Sequence, residues 1–188
     1  MDKKNKSVFQ RILLKLSGEA LQGDHLFGID PVKLSRIAQE VSTAKDAGTE
    51  IAIVIGGGNL IRGADLSAAG LDRITSDQMG MLATVINGLA LRDALIKKGM
   101  LTTLMSSIEM VSVADQYERY RAKELLKKGH VVLLSGGTGN PLVTTDSAAA
   151  LRGIEIGVDI ILKATKVDGV FDRDPIKHPT AERYQTLT

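Results

Sequence analysis

The chain has 188 residues, and 24 Lys and Arg against 22 Asp and Glu give it a formal net charge of +2. This small charge, together with three Phe, three Tyr and no Trp, argues against a nucleic-acid partner, because such proteins use large basic surfaces or aromatic stacking platforms. The absence of Cys excludes thiolate metal sites and cysteine nucleophiles. The sequence shows no export signal and no run of about 18 apolar residues, so we expect a cytoplasmic protein without a membrane partner.

Five short segments rich in Ile, Val and Leu are typical of buried strands. They are residues 11–16, 50–55, 101–105, 131–134 and 159–164. Segments with helical spacing of apolar residues alternate with them, at 34–41, 79–89 and 122–126. Asp30-Pro31 has the N-cap and proline of a helix start, and three glycines stand just after predicted helix ends: Gly48, Gly99 and Gly129.

This alternation predicts an α/β protein, a three-layer α/β/α sandwich with a mainly parallel central sheet. We expect a single domain over residues 11–188, preceded by a flexible tail over residues 1–10.

Glycines gather where three predicted strands end. The loops are Ser17-Gly18, Gly56-Gly57-Gly58 and Gly136-Gly137-Thr138-Gly139. Because parallel strands share a direction, these loops should lie on one edge of the sheet, where ligands of α/β proteins bind. Glycine lets backbone N–H groups approach an anion closely, so the loops suit phosphate groups, although any one of them alone is more often a tight turn.

The common phosphate-binding fingerprints are missing. The sequence contains neither the P-loop pattern G-x-x-x-x-G-K-[ST] nor the dinucleotide pattern G-x-G-x-x-G. The protein-kinase H-R-D triplet and the H-E-x-x-H metal pair are also missing. These observations favour a phosphate-handling α/β protein outside those families.

Five segments carry a specific resemblance to a known family. They are RILLKLSGEAL at 11–21, VIGGGNLIRGA at 54–64, DQMGMLATVINGLALRDAL at 77–95, GTGNPLVTTDSAAALRGIEI at 137–156 and KATKVDGVFDRDP at 163–175. With these motifs the chain resembles the bacterial uridylate (UMP) kinases of the amino acid kinase superfamily, from residue 11 to residue 187. The resemblance implies transfer of the γ-phosphoryl group of ATP to UMP, giving UDP and ADP, in de novo pyrimidine nucleotide biosynthesis. It also implies Mg²⁺ bound through ATP, a homohexamer, activation by GTP and inhibition by UTP.

The residues beside the glycine loops suit this reaction. A phosphate acceptor is already ionised near neutral pH, so the transfer needs alignment and charge neutralisation rather than a general base. Lys15 interrupts an apolar strand, and Arg62 could hold two phosphate oxygens; the alternative for either is a solvated surface charge. Asp146 stands at a predicted helix start, where a carboxylate is often a cap, but it could also orient Lys15 and Lys163. We therefore expect four catalytic residues: Lys15, Arg62, Asp146 and Lys163.

Two sets of binding residues follow from the resemblance, residue by residue. The expected ATP contacts are Lys15, Leu16, Ser17, Gly18, Gly58, Arg62, Thr165, Phe171 and Asp174. The expected UMP contacts are Gly57, Asp77, Thr138, Gly139, Asn140, Pro141, Leu142, Val143, Thr144 and Thr145. Two of these residues have a structural alternative: Asp77 could stabilise the start of a helix, and Phe171 could belong to the core.

A polar excursion flanked by glycines resembles the part of the family linked to activation by GTP. Its residues are Gly23, Asp24, His25, Leu26, Phe27 and Gly28. No metal site built from protein ligands is expected. Since the family's pattern continues beyond Thr188 through further strands and helices, which close one side of the ATP pocket, we expect a form truncated at its C-terminus.

Two other functions stay open at this point. One is a sibling kinase that phosphorylates a carboxylate such as acetylglutamate. The other is a regulatory module that binds nucleotides without turnover.

Overall fold

The computed structural model describes residues 8–164, 167 and 169–186. In these residues six strands form one sheet: β1 Arg11–Leu16, β2 Glu50–Ile55, β3 Thr102–Ser106, β4 Asp115–Gln116, β5 Val131–Ser135 and β6 Ile160–Ala164. Their order across the sheet is β4-β3-β5-β2-β1-β6, and every neighbouring pair is parallel. The predicted parallel α/β architecture is therefore confirmed.

Five α-helices connect these strands: α1 Pro31–Asp46, α2 Gly63–Ala68, α3 Arg73–Lys97, α4 Arg119–Lys127 and α5 Thr145–Ile156. The carboxylate of Asp30 caps α1 by accepting from the backbone N–H of Val32 at 2.8 Å, ahead of the predicted Pro31. The glycines predicted to follow helix ends have left-handed φ angles of 88° at Gly48, 81° at Gly99 and 88° at Gly129.

The helices pack on both faces of the sheet and create two apolar clusters. The edge strand β6 forms where residues 159–164 predicted a strand, but it is mostly exposed, so the expectation that it is buried is wrong. On one face α1 and α3 pack on alternate strand residues such as Ile51 and Ile53. On the other face α4 and α5 pack on the intervening residues, including Ala52 and Val54. A strand covered on both faces must be apolar at successive positions, which is why β2 is an unbroken hydrophobic run from Ile51 to Ile55.

Helix α3 begins earlier than the sequence suggested. Asp72 is its N-cap and accepts from the backbone N–H of Thr75 at 2.9 Å, so Asp77 lies inside the helix rather than at its start. The helix-start alternative for Asp77 is therefore wrong. Strand β4 and helix α2 were not predicted, because two and six residues are too short to show a hydrophobic period.

Helix α3 is also long enough to cross a membrane, and an 18-residue window within it is apolar enough to do so, judged by length and composition alone. Here it packs along the sheet, where Leu91 and Leu95 are fully buried. A core helix needs the same composition, so this property is weak evidence for a membrane span.

Candidate active site

The carboxyl ends of β1 and β6 bring two lysines to one carboxylate. Lys15 and Lys163 are register partners on these adjacent strands. The Nζ atom of Lys15 lies 3.0 Å from Oδ1 of Asp146, and that of Lys163 lies 3.0 Å from Oδ2. Asp146 stands in the first turn of α5, whose N-cap is Thr144. Its carboxylate is thus placed to orient both lysines.

The electrostatics of this cluster favour its charged form. Lys15 is 8% exposed, and the adjacent carboxylate of Asp146 compensates the cost of placing an ammonium group in this largely buried position. Partial burial raises the pKa of the Asp146 carboxyl, but the hydrogen bonds from Lys15 and Lys163 outweigh it and hold that pKa below its usual value. Two lysines around one carboxylate leave one excess positive charge for an anionic ligand.

Arg62 lies at the other side of the same sheet edge, in the loop between β2 and α2. Its guanidinium donates to the carboxylate of Glu19, which follows β1. Its Nε atom also donates to the carbonyl oxygen of Gly58 at 3.3 Å. Since about half of the Arg62 side chain is exposed, it can turn toward a ligand without disturbing the core.

The loop after β1 is tightly packed against the loop after β2. Ser17 caps the short 3₁₀ turn Gly18–Leu21, with its hydroxyl accepting from the N–H of Glu19 at 3.3 Å. A Cβ atom on Gly18 would meet the side chain of Asn59 and lie 2.8 Å from the backbone nitrogen of Gly58. The packing of the adjacent loop after β2 therefore requires glycine at position 18, whether or not the loop binds a ligand.

Two cavities flank Lys163 on the side predicted to hold ATP. The larger, about 1050 Å³, includes Lys15, Leu16, Ser17 and Lys163 and extends along the sheet face beside α1, where Leu14, Ile37 and Leu162 line it. The smaller, about 680 Å³, shares Lys163 and includes Phe171 and Asp174. Each is large enough for a mononucleotide-sized ligand.

Phe171 and Asp174 lie in the segment after β6. Phe171 is partly exposed and pairs with Arg183 through an antiparallel bridge, so the core alternative for this phenylalanine is wrong. The carboxylate of Asp174 accepts from the N–H of Ile176 at 3.0 Å. Thr165 lies outside the described residues.

A third cavity, of about 220 Å³, brings together six of the ten residues predicted to bind the acceptor, whereas Thr138, Gly139, Leu142 and Thr144 do not line it. It is lined by Gly57, Gly58, Asp77, Gly137, Asn140, Pro141, Val143 and Thr145, among others. Gly57 packs so closely on α3 that a Cβ atom there would lie 2.7 Å from the carbonyl oxygen of Gly80. Gly58, Arg62 and Glu19 form a chain of contacts that runs from this cavity to the largest one.

The loop from Thr138 to Thr145 folds over this third cavity. The carboxylate of Asp77 accepts from the backbone N–H of Leu142 at 2.9 Å, and it also accepts from Nε of Arg73 at 3.1 Å. Leu142 has a φ angle of 67°, an uncommon conformation for a residue with a side chain. Asp77 therefore holds a strained loop in place, which is a feature typical of binding sites.

The excursion from Gly23 to Gly28 is tied to the second glycine loop by Asn59. The backbone N–H of Gly28 donates to the carbonyl oxygen of Asn59 at 3.1 Å, and the Asn59 side chain donates to that of Gly28 at 2.8 Å. Asn59 also exchanges hydrogen bonds with Asn87 inside α3. Gly23 and Asp24 line the largest cavity, whereas His25, Leu26 and Phe27 are exposed.

Sequence reasoning missed several residues that shape the site, namely Glu19, Asn59, Thr84, Asn87, Ser107 and Arg152. Asn87 had a detectable signal, because it is a polar residue within the buried, mostly apolar part of α3. Thr84 accepts from the N–H of Gly136 at 2.7 Å, a contact between distant segments that no local pattern reveals.

The combined geometry suits transfer of an anionic group between two ligands. Cations from β1, β6 and the β2 loop surround the sheet edge, and separate cavities lie beside them. Across the described ranges, no three His, Asp or Glu side chains assemble as a metal site.

The chain is similar in sequence to the members of a known family. The profile of the amino acid kinase family matches residues 10–188. A curated uridylate kinase of Chromohalobacter salexigens is 57% identical over 187 residues, which cover 100% of this chain and 74% of the relative. One from Saccharophagus degradans is 59% identical over 180 residues, or 96% of this chain and 73% of the relative.

Solved structures show the same similarity. The crystal structure of UMP kinase from Bacillus anthracis superposes with a TM-score of 0.88 at 42% identity, covering 94% of this chain and 73% of that one. UMP kinase from Ureaplasma parvum gives 0.86 at 38% identity, covering 93% and 74%.

Proposed function

We propose that the chain is a UMP kinase, because it belongs to the amino acid kinase family and is similar to curated uridylate kinases. It transfers the γ-phosphoryl group of ATP to UMP, giving UDP and ADP, a step of de novo pyrimidine nucleotide biosynthesis. The observation that carries this proposal is the Lys15–Asp146–Lys163 cluster beside separate cavities for two ligands.

The transfer itself needs no proton from the protein. An oxygen of the UMP phosphate forms a bond to the γ-phosphorus, the bond from that phosphorus to the β–γ bridging oxygen breaks, and ADP leaves with the electron pair. Lys15 and Lys163 neutralise charge on the transferring group, and Asp146 keeps both ammonium groups in place. Arg62 leaves the Glu19 carboxylate and donates hydrogen bonds to phosphoryl oxygens instead, so that a further cation stabilises the transition state.

UMP binds in the third cavity, of about 220 Å³. Asn140, Pro141 and Val143 give it a wall with fixed peptide groups, which suit the donor and acceptor pattern on the edge of uracil. Asp77 faces the same cavity and accepts from the ribose. Cytosine would present an amine where uracil has a carbonyl oxygen, so it leaves groups mismatched and is rejected.

ATP enters on the side of the two larger cavities, with the adenosine near Phe171 and Asp174. When bound to the phosphates of ATP, Mg²⁺ would supply additional charge neutralisation. Both oxygens of Asp146 already accept from lysines, so this carboxylate is suited to orienting cations rather than to ligating the metal.

Assembly and regulation complete the proposal. The protein acts in the cytoplasm as a homohexamer, GTP activates it through the region from Gly23 to Gly28, and UTP inhibits it. The Asn59 contacts support the regulatory part, because they connect this region to the glycine loop beside Arg62.

A substrate panel tests the proposed function. The purified chain is given ATP and Mg²⁺ with UMP, CMP or acetylglutamate, and ADP release is followed in a coupled assay. We expect release with UMP far above that with the other two acceptors. Preference for acetylglutamate would assign a carboxylate kinase, and binding of UMP and ATP without ADP release would assign a regulator.

A further inference from the structure

Arg152 is a nearly buried cation that the proposed transfer does not use. It lies on α5, six residues after Asp146, and is 6% exposed. Its Nη1 atom donates to Oε2 of Glu155 at 2.7 Å, and its guanidinium carbon lies 3.9 Å from the centre of the Tyr117 ring. The Tyr117 hydroxyl donates to the same Glu155 oxygen at 2.7 Å. These contacts hold the guanidinium in one orientation.

The free end of this guanidinium points at the loop after β5. Its Nη2 atom donates to the hydroxyl of Ser107 at 2.8 Å and to the carbonyl oxygen of Thr138 at 3.4 Å. Ser107 in turn donates to the carbonyl oxygen of Gly137 at 2.9 Å. The carbonyl oxygen of Thr138 thus accepts directly from Arg152, and that of Gly137 accepts from the Ser107 hydroxyl, which Arg152 contacts.

Fixing these carbonyls has a consequence for the cavity that takes UMP. A trans peptide is planar, so the direction of the Gly137 carbonyl also sets the opposite direction of the Thr138 N–H. Gly137 and Asn140 line this cavity on either side of Thr138. The backbone conformation of the loop that forms this wall therefore depends on contacts with Arg152 and Ser107, which do not line the cavity.

We propose that Arg152 is a positioning residue for the acceptor nucleotide: with Ser107 it presets the 137–140 backbone in the conformation that binds the uracil end of UMP. This role rests on the proposed UMP kinase function. Burying an arginine is costly unless its hydrogen bonds are made, and a well-packed apolar side chain could fill the same space. The charge at this position therefore serves the loop rather than general packing.

The surroundings of Arg152 favour a neutral Tyr117 hydroxyl and an ionised Glu155 carboxylate. Burial and the contact with Glu155 raise the pKa of the Tyr117 hydroxyl, which stays a neutral donor. Partial burial raises the pKa of the Glu155 carboxyl, but hydrogen bonds from Arg152 and Tyr117 hold it below its usual value. Glu155 thus remains the anion that keeps Arg152 aligned.

The test compares steady-state kinetics of four variants with the wild type: Arg152→Met, Arg152→Lys, Ser107→Ala and the control Arg121→Met. Arg121 donates to Asp115 at 2.6 Å on the exposed side of α4, so its variant also loses one arginine and one ion pair. We expect Arg152→Met to raise the KM for UMP about tenfold or more while the KM for ATP changes less than about twofold. Ser107→Ala should shift the KM for UMP in the same direction by a smaller factor, and Arg152→Lys should lie between wild type and Arg152→Met.

A second readout separates positioning from general stability. Hydrogen exchange of the 137–140 amides, measured without nucleotide, should accelerate in Arg152→Met and Ser107→Ala but not in Arg121→Met. Equal KM changes for both substrates, or unchanged UMP kinetics in an active Arg152→Met, would overturn the inference. If Arg152→Met does not fold, Ser107→Ala decides it by the same criteria. Failure of the wild type to make UDP would instead overturn the proposed function.

Discussion

Arg62 donates a hydrogen bond to the carboxylate of Glu19, joining the loops that follow β1 and β2. An anionic phosphoryl group that engages Arg62 must compete with this carboxylate. The pair therefore holds the arginine near the sheet edge while leaving about half of its side chain exposed. This arrangement suits a cation needed only while charge develops on the transferring group.

Arg62→Ala should lower turnover by about two to four orders of magnitude, because the transition state loses a cation comparable to an arginine finger. The KM for UMP should change far less. Stopped assays of UDP formation, with circular dichroism to check the fold, measure both effects. Glu19→Gln is the matched variant, since it removes the competing charge and keeps Arg62; it should retain most of the turnover.

A turnover loss of less than about fivefold in a folded Arg62→Ala protein would assign Arg62 to the surface. A loss in Glu19→Gln as large as that in Arg62→Ala would mean that Glu19 orients the arginine instead of competing for it.

Lys15→Met should lose activity by orders of magnitude while the fold persists, because Met keeps the length and apolar stem of the side chain but deletes its charge. Asp146 would keep Lys163 as its remaining lysine partner, 3.0 Å away. UDP formation and thermal unfolding of the same preparation provide the measurement. A Lys15→Met protein that makes UDP at nearly the wild-type rate would leave the catalytic charge to Arg62 or Lys163.

Asp77→Asn should raise the UMP requirement more than the ATP requirement. A hydrogen bond from the ribose to a charged acceptor is worth about 1.5–3 kcal/mol, and the amide can replace only part of it. The bond from Leu142 N–H adds a second cause, since weakening it loosens the 138–145 loop. The KM for UMP and for its deoxyribose analogue, measured in wild type and variant, tests this: discrimination that is equal in both proteins contradicts a ribose contact.

The carboxyl group of Asp146 makes stability depend on pH in a defined direction. Its pKa is lower in the folded chain than in the unfolded chain, despite partial burial, because Lys15 and Lys163 stabilise the anion. The contribution is therefore present above the unfolded pKa of about 3.9 and is lost as pH falls through the lower folded value. The difference in free energy of unfolding between wild type and Asp146→Asn, from denaturant titrations, should shrink below about pH 4. A difference that stays constant over this range contradicts the two-lysine contact.

Local patterns predicted the apolar strands, of which β2 and β5 are almost entirely buried, whereas β6 at the edge of the sheet is mostly exposed. Strands β1, β2 and β6 bring the expected residues to one edge. Lys15 was recognisable because a charge interrupts such a run beside a glycine. The hydrogen bond between Glu19 and Arg62 was not recognisable from sequence, because it joins residues 43 positions apart through the packing of two loops. Such contacts depend on the tertiary arrangement rather than on the period of either segment.

Gly18 shows how structure changes the interpretation of a motif residue. The glycine-loop pattern suggested that Gly18 serves to let backbone N–H groups approach a phosphate closely. The structure instead directs a Cβ atom from Gly18 against Asn59 and the Gly58 backbone. A Gly18→Val protein would therefore disturb the second glycine loop as well, and loss of ATP binding in it would not isolate a phosphate contact.

Phosphorus NMR of the purified chain with ATP, Mg²⁺ and UMP tests the central claim most directly, because it observes the donor and acceptor phosphates together. We predict that the UMP signal is replaced by the two signals of UDP, with one ADP formed for each UDP, and that ATP is stable when UMP is omitted. ATP and UMP signals that persist unchanged, although both nucleotides bind, would contradict the account.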